Sequence, residues 1–175
     1  LSLNDLPNCS WVGTSMGGAT NTYTSVNTSY RVPRTGSNYA AFSNAPAGIN
    51  YFYSNGVWLN PGITYSAAIW FIHDIANVNN WTDLSIMIGQ LQNPAAMTQV
   101  ATTNGTLTPS LYTLLSNTFT IASPGLYYVG VRATAGAGVA PYLTWDDLSI
   151  TIPCEINGPP MQVAASLNTI CSNQP

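Results

Sequence analysis

Apolar and polar residues alternate with a period of two along most of this chain, and helical spacing is nearly absent. The clearest run covers residues 63–72, where Ile63, Tyr65, Ala67, Ile69 and Phe71 fall on one face and Thr64, Ser66 and Ala68 on the other. Trp70 and Ile72 then make both faces apolar, which predicts a strand covered on both sides at that end. Comparable runs predict strands over 84–88, 118–121, 126–133 and 142–152, with weaker ones over 23–32, 39–42 and 51–59. Gly, Pro and Asn clusters at 33–36, 44–48, 60–62, 92–94 and 135–141 separate them. One helical turn is expected near 94–99 or 109–115. Short strands divided by turns, without helical runs between them, predict an all-β fold built as an antiparallel β-sandwich.

The pattern changes after Ile152. Residues 153–160 carry Pro153, Gly158, Pro159 and Pro160, which is linker chemistry, and 161–166 open another strand-like run. The expected organisation is one domain over 1–153, then a linker and the beginning of a following module over 154–175, within a longer polypeptide. The opening residues lack a basic stretch followed by an apolar one, so any signal peptide is expected to have been removed.

Charge narrows the choice of partners. Only 5% of the 175 residues are Asp, Glu, Lys or Arg, against roughly a quarter in an average domain. There is no lysine, and Arg31, Arg34 and Arg132 face six acids for a net charge of −3. With no basic stretch, nucleic acid and anionic membranes lose their electrostatic attraction, and both are set aside. No apolar run is long enough for a membrane-spanning helix. Cys9, Cys154 and Cys171 match neither zinc nor redox spacing. In an oxidising compartment Cys9 is expected to pair with Cys154, leaving Cys171 for something beyond the domain; a cytosolic thiol protein is the alternative.

The catalytic inventory is poor. His73 is the single histidine, and its neighbour Asp74 would point to the opposite side of a strand. No nucleophile elbow, phosphate loop or zinc-protease motif occurs. Glycoside hydrolysis needs two facing carboxylates about 5–10 Å apart, and the one adjacent acidic pair, Asp146-Asp147, would project to opposite faces. The chain is therefore read as non-enzymatic, with His73 an ordinary loop-edge residue.

That acidic pair suggests something else. If Leu148, Ile150 and Ile152 face the core, strand parity puts Asp146 on the same face and Asp147 with Ser149 and Thr151. A core-facing carboxylate in a chain so poor in cations must be neutralised. Calcium, which accepts mixed oxygen ligands, is one answer, with Asn4 and Asp5 joining Asp146 and Asp147 because first and last strands of a sandwich commonly lie side by side. The other answer is that Asp146 accepts backbone N–H groups at a strand end. A second candidate site is aromatic. Tyr51 and Tyr53 share a face, and Trp81 lies in the polar stretch 77–83 with Asp83. Exposed rings stack on sugar faces while neighbouring Asn and Asp read hydroxyls, which makes these four a candidate glycan site. Trp58 and Trp145 read instead as core or sheet packing.

With these residues in view, the chain resembles a family. The segments 36–42 (Gly-Ser-Asn-Tyr-Ala-Ala-Phe), 57–65 (Val-Trp-Leu-Asn-Pro-Gly-Ile-Thr-Tyr), 84–89, 124–131 and 145–150 (Trp-Asp-Asp-Leu-Ser-Ile) occur in the order and spacing of the jelly-roll domains of Bacteroidota surface proteins. These are the cleaved-adhesin or MAM-like domains, which include the adhesin modules of gingipains. The resemblance covers about residues 36–152, and the tail 167–175 resembles the opening of an Ig-like repeat. It implies a jelly-roll module of a large secreted, cell-surface adhesin, exported as a type-nine secretion substrate. Its partners would be a glycan or a host or neighbour-cell surface protein, together with adjacent domains of the same polypeptide. It also implies calcium bound by an Asp of the final strand, matched by Asp146. The N-terminal stretch departs from the family in lacking its Phe-Glu pair. A structural spacer or filament domain, and an accessory domain of a secreted hydrolase, are the alternatives. An ice-binding surface is excluded by the absence of a regular Thr-x-Thr array.

Overall fold

The computed structural model describes residues 10–11, 19–23, 32–36, 39–43, 47–73, 80–107, 110–138 and 142–153. They form β1 (Ser10–Trp11), β2 (Ala19–Tyr23), β3 (Tyr39–Ser43), β4 (Gly48–Ser54), β5 (Val57–Leu59), β6 (Tyr65–His73), β7 (Trp81–Gly89), β8 (Met97–Thr102), β9 (Thr113–Phe119), β10 (Gly125–Ala135) and β11 (Leu143–Thr151). One sheet has the order β1-β4-β10-β7-β8, with β5 also pairing β10; the other has the order β2-β3-β11-β6-β9. Every pairing is antiparallel. Apart from β2–β3 and β7–β8, successive strands among those described do not pair, because most connections cross between the sheets. The expected all-β antiparallel sandwich is what forms.

Alternation sets the core. On β6, Tyr65, Ala67, Ile69 and Phe71 are buried as their period predicts, facing Leu84, Ile86 and Ile88 of β7 and Val129, Val131 and Ala133 of β10 in one apolar cluster. Aromatic rings fill the middle: Phe42 lies 6.0 Å from Trp81 and 6.1 Å from Trp145, and Phe52 meets Trp145 edge-on at 4.8 Å. Offset and edge contacts of this kind add to the apolar area that such large side chains remove from water.

The one helical turn falls at the first of its two expected places, as a 3-10 turn over Pro94–Ala96 in which the Asn93 side chain accepts the Ala95 N–H. Met97 then enters β8, paired with β7. At the second place, residues 113–115 join β9, whose pairing with β6 runs from Phe71↔Thr113 to Tyr65↔Phe119. One expectation needs correcting. Trp81, foreseen in a polar loop, instead opens β7 with its ring fully buried. The proposed boundary at 153 has no structural counterpart to compare, since 154–175 lie outside the described residues and the last described strand ends at Thr151.

Candidate functional site

The acidic pair sits on a β-bulge. Strand β11 pairs β6 as far as Asp146↔Trp70 and resumes at Ser149↔Ala68, so Asp147 and Leu148 oppose the single residue Ile69. Asp147 takes φ of 52°, the one non-glycine residue in the left-handed region among those described. The extra residue reverses strand parity. Leu143 and Trp145 face the core before the bulge, and Leu148 and Ile150 pack against it afterwards. Asp146 therefore points away from the core, contrary to the parity expectation, which assumed an unbroken strand.

What Asp146 meets is a short strap of chain, residues 32–36. Its Oδ2 accepts the N–H groups of Arg34 (2.8 Å) and Thr35 (3.2 Å), and its Oδ1 accepts the N–H of Asp147 (2.8 Å). Asp147 forms an ion pair with the Arg34 guanidinium and accepts the Thr35 hydroxyl. The same guanidinium lies 3.9 Å above the Trp70 ring, and the Tyr112 hydroxyl donates to the carbonyl of Val32. Burial raises the Asp146 carboxyl above its ordinary value, although the donated N–H groups pull it back. Tyr112 is raised too, first by burial and then by the Asp146 charge.

This is the backbone-accepting alternative for Asp146, with Asp147 held by Arg34 and Thr35. No group of three or more His, Cys, Asp or Glu able to hold a metal occurs among the described residues. Asn4 and Asp5, named for the same site, lie outside the described residues, as do Cys9, Cys154 and Cys171.

The aromatic candidates separate. Trp81 is in the core and offers no ring to a ligand. Tyr51 and Tyr53 do share the outward face of the first sheet, stacked at 5.8 Å and nearly parallel. Both are nonetheless buried, with Met87 and the Met97 sulfur filling the space above Gly130 beside them. Burial, followed by the neighbouring Tyr51, pushes the Tyr53 hydroxyl up to about 12. Next along this face, Arg132 lies opposite both Tyr51 and Ser85, and it pairs with Asp83 at 3.8 Å. Asp83 is therefore held by a cation. His73 is buried at the end of β6 rather than at a loop edge.

Trp58 is the reverse case. Expected to pack, it is instead 64% exposed, the most open of the tryptophans whose burial is described. Its flanking residues Val57 and Leu59 turn inward, so alternation along β5 leaves the indole outside. The signal that finds it is this three-residue alternation; aromatic content alone does not separate Trp58 from Trp81. A cleft of about 510 Å³ also opens between edge strands β8 and β9, lined by Gln90, Thr98, Gln99 and Thr118 with Phe119 and Tyr127.

No protein-family model matches the chain, and no curated protein does. Solved structures do match. The K2 cleaved adhesin domain of Lys-gingipain aligns with TM-score 0.54 and 18% identity, over 79% of this chain and 84% of that one. The C-terminal family 22 carbohydrate-binding module of Clostridium thermocellum Xyn10B aligns with TM-score 0.53 and 18% identity, over 78% and 84%. The arabinose-bound α-L-arabinofuranosidase MgGH51 aligns with TM-score 0.56 and 15% identity over 81% of this chain, which spans about a quarter (23%) of that enzyme. The sandwich thus has the jelly-roll fold common to carbohydrate-binding modules and to the cleaved adhesin domain of a gingipain.

Proposed function

We propose that this domain is a non-catalytic binding module, an adhesin or carbohydrate-binding unit that works outside the cell as part of a larger protein. The observation that carries the reading is the extent of the structural match. The chain overlays 84% of an adhesin domain and 84% of a carbohydrate-binding module, so its likeness is to whole binding units. The residues agree with it. Each described carboxylate is held: Asp83 by Arg132, Asp146 by backbone N–H groups, and Asp147 by Arg34. None is left as a general acid or base facing a second one, which glycoside hydrolysis requires. Among the described residues no helix is long and apolar enough to cross a membrane. The arabinofuranosidase match supports a second setting for the same role, an accessory module beside a hydrolase domain.

Screening the protein on a glycan array, with reducing-end release measured on every glycan bound, tests this. Retention on at least one glycan class without release of reducing ends is expected. Turnover of a bound glycan would overturn the non-catalytic reading, and no retention on any would overturn the carbohydrate-binding one.

A further inference from the structure

We propose that Trp58 is the sugar-stacking platform of this domain and that its ligand is a neutral pyranoside, an inference that rests on the glycan-binding reading above. The first observation is exposure. An indole 64% open to water forgoes most of the apolar burial that its size offers. The second is its neighbour. Trp58 stands directly across from Leu126, itself 45% exposed, and Leu126 lies so close over Gly56 that a Cβ there would meet its Cγ at 2.6 Å. A glycine at 56 thus lets the leucine lie down against the sheet, and ring and leucine form one open apolar strip. Half-buried Tyr128 follows two residues along β10 on the same face.

The strip is held firmly. Trp58 belongs to a paired strand, and the chain just after it is clamped by Tyr65, whose hydroxyl accepts the Asn60 N–H at 2.9 Å and donates to the Asn60 carbonyl at 3.2 Å. A fixed aromatic face beside exposed amides, Asn55 and Asn60, fits the apolar face and hydroxyl rim of a pyranose.

Charge defines the class of sugar. Among the described residues, the ionisable side chains on this sheet face other than tyrosines are Arg132 and Asp83, and they pair with each other. Arg132 is six residues beyond Leu126 on β10, roughly 20 Å at the strand rise. Among the described residues nothing charged on this face approaches the platform to hold a uronate, sialate or sulfate.

Affinity electrophoresis against β-glucan, mannan and unsubstituted xylan, and against alginate and a sulfated glycan, tests the inference. At least one neutral polymer should retard the protein. Trp58→Ala should weaken that binding about tenfold or more while leaving the melting curve unchanged. Quenching of tryptophan emission by the ligand should disappear in Trp58→Phe. Retardation of Trp58→Ala equal to that of the parent would overturn the platform and leave the glycan reading standing. Binding confined to the acidic polymers would overturn the neutral class, and no retardation by any polymer would overturn the platform; the glycan reading falls with it where the glycan array is also negative.

Discussion

At Asp146 three N–H groups converge on one carboxylate, and burial still raises its pKa above the ordinary 3.8. The sign of the consequence follows from linkage. A carboxyl that holds its proton more tightly folded than unfolded adds stability below the unfolded value, and that contribution is lost as pH rises through the folded one. Asn cannot titrate, so Asp146→Asn removes this dependence. Denaturant melts of both proteins should therefore show the parent gaining on the Asn variant as pH falls from about 6 to about 3.5. A gap that widens the other way would mean that the donated hydrogen bonds and Arg34 outweigh burial. The side chain at Asp147 has a different constraint, since its left-handed backbone suits Gly, Asn or Asp and few others. From the sequence, a bulge at this point cannot be seen: no glycine marks it, and Asp146-Asp147 reads as two ordinary strand positions. That one residue reverses the parity that made Asp146 look core-facing.

Among elements, legibility followed burial. Strand β6 alternates because one face meets the core along nearly its whole length, and its inward residues are those the pattern names. Strand β8 lies at an edge with Ala101 alone buried, and it carries its own irregularity between its pairings with Ile86 and Met87, so no alternation announces it. The Asn117 side chain caps the carbonyl of Val100 there, a contact that only the folded sandwich brings together. The strap over β11 was equally hidden. It holds the sheet through Arg34 on Trp70 and, across more than 110 positions of chain, on the bulge carboxylates. A double-mutant cycle on Arg34→Ala and Trp70→Ala should give a coupling energy of about 0.5–1 kcal/mol, modest because the arginine is partly solvated. Chemical denaturation of the four proteins measures it. Strict additivity would show that the guanidinium and the ring do not act together.

For the whole molecule, scarcity of charge is the property from which most else follows. Three arginines cannot pair six acids, and the described structure spends two of them on Asp147 and Asp83. At Asp147 Arg34 supplies the counter-charge, and at Asp146 backbone N–H groups donate. The calcium expected from the sequence would be a ligand of the folded state, so excess chelator would lower the melting temperature by several degrees. An unchanged melt, together with a neutral Asp146→Ala, would remove it. The same scarcity governs association. A ligand drawn by ion pairs loses affinity steeply with salt, since screening between exposed charges is strong at ordinary ionic strength. A neutral sugar stacked on Trp58 has no such term. Its dissociation constant should change by less than about twofold between roughly 50 and 500 mM sodium chloride, measured by titration calorimetry. A loss of affinity of tenfold or more over that range would mean that charged groups carry recognition, and would move the site from Trp58 towards Arg132 or Arg34.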